Sequence, residues 1–250
     1  MTVHFVGAGP GADDLLTLRA VGLLSAADVV LYPGTYLDAE VLAHCRDDAE
    51  LVDTQDLDLD AMVAVMAEAS GRGREVVRLT SGDPSVYSAL AEQTRRLDAL
   101  AVPWEVTPGV PAYAAAAALV GRELTVPLLA QSVVLTRVQA RSTPMPEGES
   151  LAAFGATGAT IVLHLATARV GEAMRELAPH QGEDCPVVVV HRASQPGELV
   201  LRGTVDDIAD QVEAAGLRQA AVVLVGRALG RDDLSAGESF LYSSTRDRSR

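Results

Sequence analysis

Three glycine-rich turns carry the residues of this chain that could bind a reactive molecule. Residues 7–11 follow one apolar run, residues 80–84 follow another, and residues 107–111 form a third turn of the same kind. Glycine lets the backbone approach a ligand closely. Asp83 adds a carboxylate that could accept hydrogen bonds from ribose hydroxyls or from a cationic amine. The turns therefore predict a binding site for a small molecule.

No pair of nucleophile and base stands out in the sequence. It contains no Gly-x-Ser-x-Gly motif, no recognised Cys–His catalytic motif and no Walker sequence, so covalent hydrolysis is unsupported. Glycine turns with few charged groups suit a reaction that depends on alignment more than on proton transfer. Methyl transfer from a sulfonium to a nucleophilic carbon is one such reaction. We assign no catalytic side chain.

The first turn has three possible interpretations. Gly7, Gly9 and Ala12 match the G-x-G-x-x-G/A spacing of dinucleotide-binding turns. However, Pro10 removes a backbone donor from the proposed phosphate cradle, and Asp13 puts a carboxylate where a pyrophosphate would lie. A purely structural turn and a turn that contacts a ligand without phosphates remain open, and the sequence favours the second of these.

Alternating strands and helices must position the turns. In the first half we predict strands at 3–6, 29–32, 51–52, 75–79 and 104–106, and helices at 13–24, 37–44, 57–69, 86–97 and 112–119. This order predicts an α/β fold with a mostly parallel open sheet. The three turns then leave the same edge, where open sheets bind ligands. Alternatively, Asp83 only caps the helix at 86–97.

The second half has its own strands and helices. We predict strands at 132–136, 160–165, 186–191, 198–202 and 221–226, a helix at 168–177, and a helix to Ala214 that Thr204 caps. A boundary near Gly121 gives two α/β domains, 1–120 and 121–250. We expect the tail, 243–250, to be disordered.

Composition excludes several classes of protein. The net charge is −14, which argues against a nucleic-acid partner. No run of about 20 uncharged apolar residues is present, so we expect no membrane segment, and the chain enters a strand without a signal peptide. Cys45 and Cys185 lie far apart, as expected for thiols in a reducing cytoplasm. The five histidines lack metal-ligand spacing, so we expect no metal.

All 20 basic residues are arginines, and the excess of acidic residues lies mostly in the first half. Arginine provides forked donors that bind carboxylates in a bidentate manner. The second half of the chain is therefore the place where we expect an anionic substrate to bind.

The turns resemble motifs of the tetrapyrrole methylase family. Residues 6–11 with 14–17 look like its first motif, 81–84 like its second and 108–112 like its third, and the resemblance continues through 186–190 and 193–197. It implies an S-adenosylmethionine-dependent methyltransferase of corrin or porphyrin biosynthesis that releases S-adenosylhomocysteine. It also implies a homodimer of chains with two α/β domains, the second with a mixed sheet, and a cofactor in the cleft between them.

One stretch is similar to a particular branch of this family. Residues 122–127, 131–137 and 141–147 resemble the members that methylate carbon C11 of precorrin-4 to give precorrin-5, a step of cobalamin biosynthesis. The substrate implied is precorrin-4, with or without cobalt, a tetrapyrrole rimmed with carboxylates. Our hypothesis is that Arg137 and Arg141 hold those carboxylates. As the alternative, both arginines are solvated surface residues.

The resemblance also implies the residues that bind the cofactor. Carried over by motif, they are Pro10, Ser81, Gly82, Asp83, Val86, Pro111, Ala112, Leu165 and Ala193. Two departures from the family pattern stand out. Ala12 shifts the first motif's aspartate to Asp13, and Pro111 lacks the hydroxyl that the third motif often provides. Val86 and Leu165 are apolar positions that belong to the core in most proteins.

Two other functions stay open. One is a related methyltransferase that acts on another ring carbon, on RNA or on a modified histidine of a protein (diphthamide); the negative charge disfavours RNA. The other is a sensor that binds the cofactor without catalysis.

Overall fold

The structure, a computed structural model, describes residues 1–34, 37, 39–138, 144–230 and 246. The chain forms two compact units. The first contains Met1–Ala115 and Arg192–Gly197, and the second contains Ala116–His191 and the described residues from Glu198 onward. Each unit has one five-stranded sheet. No local pattern in the sequence predicts the return of 192–197 to the first unit.

The first sheet was predicted to be mostly parallel and is wholly parallel, with strand order β3-β2-β4-β1-β5. Its strands are β1 (Val3–Gly7), β2 (Val29–Tyr32), β3 (Glu50–Asp53), β4 (Val76–Thr80) and β5 (Trp104–Thr107). The helices are α1 (Leu18–Leu24), α2 (Ala39–Leu42), α3 (Leu59–Gly71), α4 (Leu90–Ala99) and α5 (Ala112–Val120), which leads into the second unit.

Strand β1 is apolar except for the partly buried His4, because both of its faces are covered. Val3 and Phe5 belong to one buried cluster, whereas Val6 and Ala8 belong to another. A strand with two buried faces reads as a continuous apolar run rather than an alternating one. Since β1 lies between β4 and β5, the loops that follow these three strands leave the sheet side by side.

The second sheet is mixed, with strand order β6-β7-β10-β8-β9. Strands β6 and β7 are parallel, and the other neighbours are antiparallel. The strands are β6 (Val133–Arg137), β7 (Thr160–His164), β8 (Pro186–His191), β9 (Leu199–Thr204) and β10 (Ala221–Val225), and the helices are α6 (Leu151–Gly155), α7 (Val170–Gln181) and α8 (Ile208–Ala214). Ile161, Leu163 and Val189 pack against Leu177 and Ile208 in its core.

Several predicted helix boundaries are wrong. Helix α1 begins at Leu18, where Thr17 accepts the N–H of Ala20, and a separate 3-10 turn covers Asp13–Leu15. Helix α8 begins at Ile208, because Thr204 ends β9 and donates its own N–H to Asp207. Thr204 therefore caps no helix.

The tail predicted to be disordered, 243–250, lies outside the described residues except for Arg246. Within the described part of the chain, every helix is too short or too polar to cross a membrane.

Candidate functional site

The loops after β1 and β4 are joined by backbone hydrogen bonds. Gly82 donates its N–H to the carbonyl of Gly9 at 2.7 Å, and Gly9 donates to Gly82 in return at 3.1 Å. Ala8 donates to the Thr80 carbonyl at 2.8 Å just before this pair. The two loops are therefore joined beyond the parallel sheet by an antiparallel bridge between Gly9 and Gly82 and form one continuous rim.

The third loop, after β5, is held against the other two. Gly109 donates its N–H to Asp83 Oδ2 at 2.8 Å. A Cβ built on Gly7 would lie 2.5 Å from Gly109 N and 2.7 Å from Gly82 O. Glycine is required at Gly7 and Gly109 because three backbone segments meet there without room for a side chain.

The carboxylate of Asp83 ties the second loop to the third. Its Oδ1 accepts the N–H of Ser85 at 2.8 Å and the Ser85 hydroxyl, and its Oδ2 accepts from Gly109. Burial alone would raise the pKa of Asp83, but these hydrogen bonds lower it below the ordinary value of 3.8. Asp83 does not cap the next helix, since α4 begins after Ala89. That alternative is wrong.

A segment from the second half of the sequence supports the first loop. Gln195 Nε2 donates to the Pro10 carbonyl at 2.6 Å, and the Ala12 N–H donates to Ser194 Oγ at 3.2 Å. The Gln195 side chain also lies where a Cβ on Gly11 would be. Ser194 and Gln195 were not predicted as site residues, although both lie in the stretch 193–197 that carried the family resemblance.

The three loops are acidic. Residues 8–14, 81–86 and 107–112 contain three carboxylates and no arginine or lysine. Asp13, the shifted aspartate of the first motif, has its Oδ2 3.5 Å from Nε2 of His44. The rim therefore favours a cationic or uncharged ligand over one that carries phosphates.

The structure brings eight of the nine predicted cofactor residues into the first unit. Pro10, Gly82 and Ala193 are buried, Asp83, Val86, Pro111 and Ala112 are partly buried, and Ser81 is exposed. The position of a Cβ on Gly82 is 3.6 Å from the Ala112 nitrogen and 3.7 Å from the Pro111 Cα. These residues of the second and third motifs are therefore neighbours.

Leu165 lies in the second unit, directly after β7. It is 74% exposed and has a φ of 53°. A bulky residue with a left-handed backbone is strained, and such strain is concentrated at functional sites. Leu165 is thus not a core residue, which was the alternative for this position.

Arg137 ends β6 and lines an open cavity of about 510 Å³ in the second unit. Arg169 lines the same cavity but already pairs with Glu172. Arg137 Nη2 donates to the Pro144 carbonyl at 3.4 Å. Arg141, the other predicted substrate residue, lies outside the described residues.

His164, which pairs in register with Arg137 on the neighbouring strand, has its pKa lowered by burial. It is therefore neutral at pH 7 and adds no positive charge beside Arg137.

Comparisons with known proteins point to one family. A model of the tetrapyrrole (corrin/porphyrin) methylases matches residues 2–209. A precorrin-4 C(11)-methyltransferase from Rhodococcus erythropolis is 53% identical over 248 residues, which cover 99% of this chain and 99% of that protein.

Two solved structures share the fold. A cobalt precorrin-4 methyltransferase of cobalamin biosynthesis matches with a TM-score of 0.89 and 39% identity, over 92% of this chain and 96% of that one. A uroporphyrin-III C-methyl transferase from Thermus thermophilus, complexed with S-adenosyl homocysteine, matches with a TM-score of 0.77 and 29% identity, over 92% and 99%.

Proposed function

From the premise that the chain belongs to the tetrapyrrole methylase family, we propose that it transfers a methyl group from S-adenosylmethionine to C11 of precorrin-4 or of its cobalt complex. The interlocking of three glycine loops at the carboxyl edge of the first sheet carries this proposal. The high identity with a precorrin-4 C(11)-methyltransferase supports the choice of substrate and carbon.

The residues of the rim fit the methyl donor. S-adenosylmethionine has a sulfonium cation and no phosphate, and the loops provide carboxylates without basic side chains. We propose that Ser81, Gly82 and Asp83 hold it and that Val86 packs beside it. Pro10, Pro111, Ala112, Leu165 and Ala193 would border its methionine and adenosine parts.

The chain contributes alignment rather than proton transfer. When bound, the donor supplies an electrophilic methyl group, and the electron-rich macrocycle is the nucleophile. The hydrogen bonds among the loops, together with Gln195 on the Pro10 carbonyl, keep the rim in one conformation. Alignment of this kind can lower a barrier by about 7–11 kcal/mol, so the proposal needs no general base.

The direct test is incubation of the purified protein with labelled S-adenosylmethionine in a system that generates precorrin-4, with and without cobalt. We expect a product heavier by one methyl group, with the label at C11. A label on another ring carbon would contradict the assignment of C11. Stabilisation by S-adenosylhomocysteine without any transfer would instead indicate a cofactor sensor. We also propose that the protein is a cytoplasmic homodimer. Sedimentation of the purified protein tests whether it is a dimer.

Replacing Arg137 with alanine is expected to raise the KM for the tetrapyrrole by about tenfold or more, the effect of losing one charge-assisted hydrogen bond. The affinity for S-adenosylhomocysteine should stay unchanged. Steady-state kinetics and calorimetry measure the two effects. Arg175→Ala removes an exposed arginine from α7 of the same unit and serves as the control. An unchanged KM in Arg137→Ala would show that Arg137 is only a solvated surface residue.

Replacing Leu165 with glycine is expected to weaken binding of S-adenosylhomocysteine without lowering the stability of the fold. Glycine adopts a left-handed backbone without strain, so the free energy of unfolding should stay the same or rise by up to about 1 kcal/mol. Loss of the exposed leucine should weaken S-adenosylhomocysteine binding by about tenfold. Leu128, with a φ of 67° and 85% exposure, gives the control Leu128→Gly, which should change stability alone. Equal binding by both variants would contradict a role for Leu165.

A further inference from the structure

A buried arginine lies in the first sheet, below the second glycine loop. Arg78 is in β4 and is only 7% exposed. Its Nη1 donates to the Leu79 carbonyl at 2.6 Å, its Nε donates to Gln93 Oε1 at 3.3 Å, and its Nη2 lies 3.7 Å from the sulfur of Met62. Within the described residues, no ion pair includes Arg78.

Burial of the Arg78 guanidinium without an ion pair destabilises the folded state. Burial lowers the pKa of Arg78 to about 10, so the guanidinium is still charged at pH 7. A buried charge without an opposite charge costs free energy that an apolar side chain of the same length would avoid. Stability of the core therefore gives no reason for an arginine at this position.

Gln93 connects Arg78 to the loop before α4 by hydrogen bonds. Gln93 is 1% exposed, and its Nε2 donates to the carbonyls of Ser88 at 3.3 Å and Ala89 at 3.2 Å. Because arginine only donates hydrogen bonds, the amide oxygen of Gln93 must face Arg78 and its NH₂ group must face the loop. The charge on one side thus sets which end of the amide meets the loop.

The loop that Gln93 holds is strained. Tyr87 has a φ of 53° and Ala89 a φ of 56°, and such conformations persist only when the surroundings enforce them. The same loop begins with Ser81, Gly82 and Asp83 and contains Val86. Any change at Ser88 and Ala89 therefore acts on the part of the rim that we assign to the methyl donor.

We propose that Arg78 and Gln93 are positioning residues, which hold residues 85–89, with the left-handed backbone of Tyr87 and Ala89, in the conformation that shapes the binding surface for the methyl donor. This inference rests on the proposed function for the identity of the ligand. The holding of the loop itself rests only on the hydrogen bonds and the backbone angles.

The variant Gln93→Glu tests this role. A carboxylate keeps the shape of the side chain and gains an ion pair with Arg78, but it turns an acceptor toward the Ser88 and Ala89 carbonyls. We expect the unfolding temperature to stay the same or rise, the amides of 85–89 to exchange hydrogen faster, and the Kd of S-adenosylhomocysteine to increase about tenfold, as for one lost buried hydrogen bond. The KM for S-adenosylmethionine should rise more than kcat falls.

Thr94→Val is the matched control. Thr94 is the next residue of α4 and is also buried, but among the described residues its hydroxyl donates only to the helix carbonyls of Leu90 and Ala91. This variant should leave both the exchange of 85–89 and the Kd unchanged. If Gln93→Glu does not fold, a second pair of variants replaces it. Arg78→Met should speed the hydrogen exchange of 85–89 and raise the Kd of S-adenosylhomocysteine, and Arg78→Lys should restore binding in part.

Exchange of 85–89 at the normal rate in both Gln93→Glu and Arg78→Met would overturn the inference, and so would a Kd equal to that of the unchanged protein. If the unchanged protein fails to bind S-adenosylhomocysteine, the proposed function is wrong. Faster exchange of 85–89 in Gln93→Glu, with normal exchange in Thr94→Val, would still support the positioning role in that case.

Discussion

Replacing Gly109 with alanine is expected to lower the unfolding temperature by about 10 °C and to abolish binding of S-adenosylhomocysteine. A Cβ at this position would lie 2.8 Å from the carbonyl carbon of Gly7 and even closer to the Gly82 oxygen. Both neighbours are backbone atoms of buried glycines, so they cannot move aside as a flexible side chain would. Overpacking of this kind costs about 3 kcal/mol, which is several degrees in a chain of this size.

The control for this prediction is Gly22→Ala. Gly22 lies in α1, is exposed and has no atom within 4 Å of its Cβ position. Alanine is preferred over glycine in a helix by about 1 kcal/mol, so this variant should be slightly more stable and should bind normally. Thermal unfolding and calorimetry of both variants measure the effects. Normal binding by Gly109→Ala would mean that the three loops need not meet as closely as the structure has them.

The parallel first sheet could be predicted because its central strands are buried on both faces. Runs such as 3–6 and 75–79 are mostly apolar and end at glycine turns, and alternation with helices then predicts parallel strands. The three turns lie side by side because the strand order places β1 between β4 and β5. The sequence predicted a shared edge but gave no signal for that order.

The details that the sequence missed depend on contacts between distant residues. Asp83 looked like a helix cap because a helix follows it, yet its partner Gly109 is 26 residues away. The late start of α4 depends on the left-handed Tyr87 and Ala89, which no propensity predicts for these residue types. Gln195 reaches Pro10 across 185 residues. Local patterns cannot reveal such contacts.

Replacing Asp83 with asparagine is expected to weaken S-adenosylhomocysteine binding by about tenfold or more and to cost about 2 kcal/mol of stability at pH 7, since hydrogen bonds to a charged acceptor contribute about that much. Asparagine has one oxygen and one NH₂ group. If its oxygen accepts from Ser85, its NH₂ faces the N–H of Gly109, and rotation of the amide only moves this conflict to Ser85. Asp53→Asn is the control, because Asp53 is exposed and its Oδ1 accepts from the Gln55 N–H, while its Oδ2 accepts no hydrogen bond from the part of the chain that the structure describes.

The effect of Asp83→Asn on the free energy of unfolding should depend on pH, in a direction set by the pKa of Asp83. The pKa of Asp83 is lower in the folded protein than its ordinary value of 3.8, so the unfolded chain takes up the proton first as the pH falls. The stability that the carboxylate contributes is complete well above pH 3.8 and decreases as the pH falls through the folded-state pKa. Denaturant unfolding should therefore show the full difference between the unchanged protein and Asp83→Asn at pH 7, and a smaller one at pH 3. A difference that is equal at both pH values would mean that the charge of Asp83 does not hold the second and third loops together.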